Sequence, residues 1–202
     1  LARVLVHTGY FVRRQHWEFL GIAKGARTAE FVQRLRDRHL ASQHTYWRRT
    51  HVLHVSAPSL YAAIGEPNSR LRRPAEPASI IQKLMTLDVV IAHRDDAFLA
   101  TEAEKVAFFT TACGVPLADL PARIYVSPHP DRASTTRYFV DRVPIQRSAD
   151  TDLVTFVYVA GWTAVGTFAA FLEEYEPLFR RLGRCRIRFC SANDELRRDA
   201  RA

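Results

Sequence analysis

Apolar positions in the first part of the chain recur at helical spacing in short runs cut by glycine. In residues 25–40, GARTAEFVQRLRDRHL, Phe31, Val32 and Leu35 share one face of a helix and Leu40 closes the run. The other face carries Arg27, Thr28, Gln33, Arg34 and Arg38. Upstream, Val4 and Leu5 are core positions of a helical tail that Gly9 ends, and Tyr10, Phe11 and Val12 make a short apolar turn or strand. RRQHWEFLG predicts a brief helix with Trp17 and Leu20 facing inward and Gly21 at its end. A turn through Lys24 and Gly25 joins the two helices.

After Leu40 the period changes. Residues 41–55 are rich in β-formers, among them Thr45, Tyr46, Trp47, Val52, Leu53 and Val55, with Arg48 and Arg49 where a hairpin would turn. APSLYAAIG closes the segment as a short helix with Pro58 early and Gly65 after its end. Residues 66–78, with three prolines and three arginines and no apolar period, predict a linker. Ser79 then caps a helix with an apolar stripe of Ile80, Leu84, Leu87 and Ile91. Thr101 and Glu104 have the spacing of a capping box. Further on, RIYV, TRYFVDRVPI and DLVTFVYVAG predict strands. A long helix at 165–182 sets Phe168, Leu172, Tyr175 and Phe179 inward, RCRIRFCSA alternates as a half-buried strand, and a polar helix begins near Asn193. Strand, helix and strand at this spacing form a βαβ unit with parallel strands.

The expected fold class is therefore α+β: a winged helix-turn-helix over residues 1–65, a linker at 66–78, and an α/β domain with a mixed sheet and a terminal βαβ unit over 79–202. Charge supports the division. The net charge of +8 lies entirely in residues 1–76, which hold 13 Lys and Arg against 5 Asp and Glu. Six of the eight histidines lie there too. A basic segment joined to a neutral one suggests a polyanion-binding module with a partner domain. No apolar run approaches the roughly 18 residues of a bilayer span. Three cysteines without CxxC spacing read as buried thiols in a reducing compartment, and no secretory pattern opens the chain, so a cytoplasmic location is expected.

The run YFVRRQHWEFLG…GARTAEFVQRLRDRHLA…HVLHVSAPSLYAAIG resembles winged-helix transcription regulators, and most closely the replication-relaxation family of bacterial plasmids and mobile elements. Gln15, Arg27, Thr28, Ala29, Leu35, Leu40 and Gly65 are the matching positions, in about the first third of the chain. The resemblance implies DNA binding in replication or transcription control.

The expected function is sequence-specific binding of double-stranded DNA by a transcriptional regulator, with the helix at about 26–38 in the major groove. Arg and Gln make bidentate bonds to guanine and adenine edges, so Arg27, Thr28, Gln33 and Arg34 are the base-edge candidates. Arg13, Arg14, Lys24, Arg48 and Arg49 are the phosphate or wing candidates. A basic amphipathic helix taken alone is more often a solvated face, and the flanking elements are what favour the DNA reading. The partners expected are DNA, a second copy of the chain, and a small-molecule or protein effector at the C-terminal domain; no cofactor, metal or membrane is implied.

The rival is a DNA-processing nuclease on a restriction-endonuclease-like scaffold. Asp141 fits one metal ligand, yet Val157-Tyr158-Val159 stands where Glu-x-Lys would be needed. Ser127, His129 and Asp131 share one loop instead of converging from separate elements, so they do not read as a triad. AGWTAVG lacks the Lys-Ser/Thr of a phosphate-binding Walker loop. The histidines show no metal-ligand spacing and are expected near phosphates or in the wing. The expectation is a binding protein, not an enzyme.

Overall fold

A computed structural model describes residues 1–46, 49–127, 133–147, 153–160 and 166–191. The chain is an α+β protein of two compact units, Leu1–Asp95 and Asp96–Ala202. The loop at 128–131, the turn at 161–165 and the helix expected near Asn193 lie outside the described residues.

The first unit runs α1 (Ala2–His7), β1 (Tyr10–Val12), α2 (Arg13–Leu20), α3 (Ala26–Asp37), β2 (Ala41–Tyr46), β3 (Thr50–Val55), α4 (Pro58–Ala63) and α5 (Pro77–Ala92). Its sheet is antiparallel in the order β1-β3-β2, with Leu53 opposite both Phe11 and Gln43. The central strand reads as a continuous buried run, Val52 to Val55, as a strand covered on both faces must. Leu5, Phe11, Val32, Leu35, Leu53 and Tyr61 form the main cluster, and the Tyr61 hydroxyl donates to the Val55 carbonyl at 2.9 Å. Gly9 is irreplaceable on two counts. Its φ is +71°, and a Cβ there would meet the Leu71 carbonyl oxygen at 2.8 Å.

Several expectations change here. Residues 66–78 are no free linker: a 3₁₀ turn at Arg70–Arg72 buries Leu71 in the core. The helix expected to open the second domain packs in the first unit against α1, α2 and β1. It begins at Pro77 with Glu76 as N-cap, three residues before the expected cap Ser79, because proline suits a first-turn position. Leu20 is half exposed, and Gln15 is buried in its place. Cys113 is exposed instead of buried, while Cys185 and Cys190 are half-buried.

The second unit runs β4 (Ala97–Leu99), α6 (Glu102–Ala107), β5 (Ala122–Tyr125), β6 (Thr135–Tyr138), β7 (Ile145–Arg147), β8 (Val154–Ala160), α7 (Gly166–Leu182) and β9 (Cys185–Ser191). A π-helical turn, Phe108–Ala112, extends α6. The capping box forms: Glu104 N donates to Thr101 Oγ1 at 3.1 Å and Thr101 N to Glu104 Oε2 at 3.0 Å. The main sheet has the order β4-β7-β8-β9; β8 and β9 are parallel, and the other pairs antiparallel. A second, two-stranded sheet pairs β5 with β6. The expected strand TRYFVDRVPI is thus two strands in two sheets, broken by a turn in which Phe139 and Arg142 have φ of 49° and 57°.

The core of this unit is aromatic. Phe109 stacks on Phe139 at 5.5 Å and on Phe156 at 5.9 Å, and Tyr175 lies 4.5 Å from Phe171. Within it, Lys105 is buried, its Nζ donating to the Val143 carbonyl at 2.8 Å and lying 5.7 Å from the Phe139 ring. Burial pushes its pKa down to about 8, against the pull of Asp141.

Two outcomes follow from these buried polar groups. Gln15→Leu leaves Val12 N, the Leu84 carbonyl and the Asp88 carboxylate without their bonds to the Gln15 amide, and we expect a loss of ~3 kcal/mol in the first unit. Amide exchange in α2 and α5 reads that loss locally. For Lys105, the unfolded amine (10.5) holds its proton more tightly than the folded one, so stability rises with pH between about 8 and 10.5. Urea denaturation at pH 7 and pH 10 should show the native chain gaining about 2.5 kcal/mol relative to Lys105→Met. Equal gains in both proteins would refute the assignment.

Candidate nucleic-acid interface

Where α3 sits is decided by α2. The Gln15 side chain turns back to accept from Val12 N at 3.0 Å, capping its own helix. Its amide nitrogen donates to the Leu84 carbonyl at 2.7 Å and to Asp88 Oδ1 at 2.8 Å, which ties the start of α2 to α5. At the other end, Arg94 donates to the Glu18 and Phe19 carbonyls at 3.3 and 3.1 Å. Gly21, at φ 64°, ends the helix in the left-handed conformation. From α2, His16 reaches α3: its Nδ1 shares a hydrogen bond of 3.0 Å with Thr28 Oγ1, and its ring stacks on Phe31 at 4.2 Å. Burial lowers the His16 pKa, so the imidazole is neutral in this contact at pH 7.

These contacts sort the expected DNA residues. Thr28, expected at a base edge, is 2% exposed and belongs to the packed face with Val32 and Leu35. Its spacing from Val32 and Leu35 (i, i+4, i+7) already carries that face. Arg14, expected at a phosphate, is held in place: it grips Asp88 bidentately at 2.8 and 2.9 Å and Glu18 at 2.6 Å. Both are structural residues of the α2–α3–α5 corner.

The remaining candidates are exposed. Arg27 and Arg34 are seven residues apart and so share one stripe of α3, with Glu30 between them and Arg38 at the helix end. Arg34 pairs loosely with Glu30 at 3.4 Å, and Gln33 donates to Asp37 at 2.7 Å. Exposed pairs of this kind are worth under about 1 kcal/mol and are readily exchanged. Among the described residues the side chains of Arg13, Lys24, Arg27, Arg36, Arg38 and Arg49 make no ion pair or hydrogen bond. Arg36 on α3 and Arg38 at its C-cap are further exposed cations, not among the residues expected at DNA, although their exposed positions follow from the same periodicity.

Arg49 lies at the β2–β3 connection with φ 63°, and Arg48 lies outside the described residues. Along the hairpin, Ser42 bonds His44 at 3.0 Å and Thr45 bonds His51 at 3.1 Å, all exposed. His54 differs: it is buried, stacked on Tyr10 at 4.2 Å and bonded to the Leu71 carbonyl at 2.9 Å, so it is a core residue and not a phosphate contact.

In the second unit the Asp141 carboxylate accepts from Tyr175 Oη at 2.7 Å and from Val143 N at 3.3 Å. Among the described residues no group of three or more His, Cys, Asp or Glu gathers. No described helix is long and apolar enough to cross a membrane. No family model, curated protein or solved structure matches the chain.

The sorting has a direct check in thermal melts of two variants. Thr28→Val removes the bond to His16 and should cost about 1 kcal/mol of stability. Arg27→Ala touches nothing and should leave the melting temperature within error. A reversal of the two would mean that α3 turns a different face to the core.

Proposed function

We propose that the first unit is a winged helix and that the chain binds double-stranded DNA as a transcriptional regulator, with α3 as the groove reader and β2–β3 as the wing. One observation carries the reading. The order α1-β1-α2-α3-β2-β3, closed by the antiparallel sheet β1-β3-β2, leaves the polar side of α3 exposed with its arginines on one stripe. A helix fits the major groove, and a recognition helix touches bases with its N-terminal part.

In this reading Arg27, Gln33 and Arg34 meet base edges, whereas Arg13, Lys24, Arg38 and Arg49 meet phosphates. Thr28 and Arg14 hold the helices that present them. The excess of cations in the first 76 residues supplies the sequence-independent attraction. Likeness to the replication-relaxation family, cytoplasmic residence and control of a mobile element's own genes are part of the proposal. A dimer would read two half-sites roughly 10 base pairs apart.

Fluorescence anisotropy with the fragment upstream of the chain's own gene, set against unrelated DNA over a salt series, tests it. We expect preference for the upstream fragment and log affinity falling linearly with log salt. Arg27→Ala or Arg34→Ala should cost about 1–3 kcal/mol on that fragment and erode the preference. Lys24→Ala should weaken both DNAs alike and flatten the salt slope. Absence of binding at low salt, or equal affinity for the two fragments with all variants unchanged, would sink the reading.

A further inference from the structure

The two-stranded sheet of the second unit has one open edge. Phe139 N donates to the Pro121 carbonyl at 2.9 Å, which makes 121 and 139 a hydrogen-bonded pair. With the register Ala122–Tyr138 to Tyr125–Thr135, the pairs Arg123–Arg137 and Tyr125–Thr135 are then bonded inward. The main-chain groups of Ala122 and Ile124, and by alternation those of Val126, therefore point away from β6. The same alternation turns Thr136 and Tyr138 outward on the far edge. There the Tyr138 N–H is met by Glu102 at 2.7 Å, and Glu102 also pairs with Arg137 at 2.7 Å. The β6 edge is covered at that point; the β5 edge has no such cover among the described residues.

The side chains along the open edge are apolar and lie in water. Ile124 is 69% exposed and Val126 is 78% exposed, the two most exposed large hydrophobic residues described. The cations nearby are matched by carboxylates, Arg137 by Glu102 at 2.7 Å and Arg123 by Glu174 at 3.8 Å, so the edge carries no net excess of positive charge. An apolar, charge-balanced strand edge takes a protein strand, not a nucleic acid.

We propose that β5 pairs with β5 of a second copy of this chain, antiparallel about a two-fold axis at Ile124. In that register every opposition is favourable. Ile124 faces Ile124, Ala122 faces Val126, and each outward pair exchanges both main-chain bonds. On the other face Arg123 meets Tyr125, a cation–π pair. Moving the axis one residue to Arg123 would set two guanidinium groups against each other, which the Ile124 axis avoids. The paired ribbons form a four-stranded sheet, which is far more stable in water than an isolated hairpin. This inference stands on the second unit alone and does not depend on DNA binding.

Sedimentation velocity of the full chain over a concentration series tests it, with Ile124→Lys as the variant. The native chain should show a reversible monomer–dimer equilibrium. Ile124→Lys, which places like charges on the axis at an exposed position, should remain monomeric with an unchanged circular dichroism spectrum. Independently, with Cys113→Ser removing the exposed thiol, Ile124→Cys should oxidise to a covalent dimer, since bonded antiparallel pairs have a Cα separation that a disulfide can span. Thr136→Cys on the far edge should not. A native chain that stays monomeric, a dimer that survives Ile124→Lys, or no cross-link at position 124 would each overturn the proposal.

Discussion

The buried amide of Gln15 joins three segments of the first unit. Its oxygen caps α2 at Val12, and its nitrogen reaches the Leu84 carbonyl and Asp88 of α5. At 1% exposure no water can replace these bonds, so the amide fixes both the start of α2 and its distance from α5. Arg14, the neighbouring residue, closes on the same Asp88 from outside. With α2 held, His16 can hold α3 through Thr28 and Phe31. The aim of the arginines on α3 is thus set by an uncharged side chain on another helix.

Much of this arrangement is legible in the sequence, because burial there follows simple periods. Phe31, Val32 and Leu35 mark the packed side of α3, the β-formers on either side of Arg48 and Arg49 mark the two hairpin strands, and Thr101 with Glu104 marks a helix start. The parallel pairing of β8 with β9 follows from the intervening helix. Each of these is a local pattern with one low-energy answer. Tertiary partners are another matter. The apolar stripe of α5 says that the helix is covered on one side, but not by which unit. That choice rests on Asp88 and the Leu84 carbonyl meeting Gln15 from far away in the chain.

The same limit explains the candidate site. Sequence alone ranks Arg13 and Arg14 equally, since both precede an amphipathic turn. The fold separates them: α5 brings Asp88 within 2.8 Å of Arg14, and Arg13 keeps no partner among the described residues. A cation engaged by two carboxylates would lose those bonds on meeting a phosphate, so its charge gives little net attraction. Thr28 is a subtler case. Its hydroxyl makes it look like a polar-face residue, yet its position in the 28–32–35 series is apolar, and the hydroxyl is satisfied inside by His16.

In the second unit a local strain decides the topology. Phe139, at φ 49°, holds a conformation that costs a residue with a side chain about 1–2 kcal/mol. It is kept there by a ring packed between Phe109 and Tyr175 and by its N–H on the Pro121 carbonyl. The turn sends the chain out of the β5–β6 ribbon and into the main sheet at Ile145. Without it, TRYFVDRVPI would run on as one strand, as its alternation suggests. Among the described residues β5 has β6 as its one partner strand, and Ile124 and Val126 stand exposed along its other edge. The aromatic core that fixes Phe139 therefore also fixes where the β5–β6 ribbon ends, at the bond from Phe139 N to the Pro121 carbonyl.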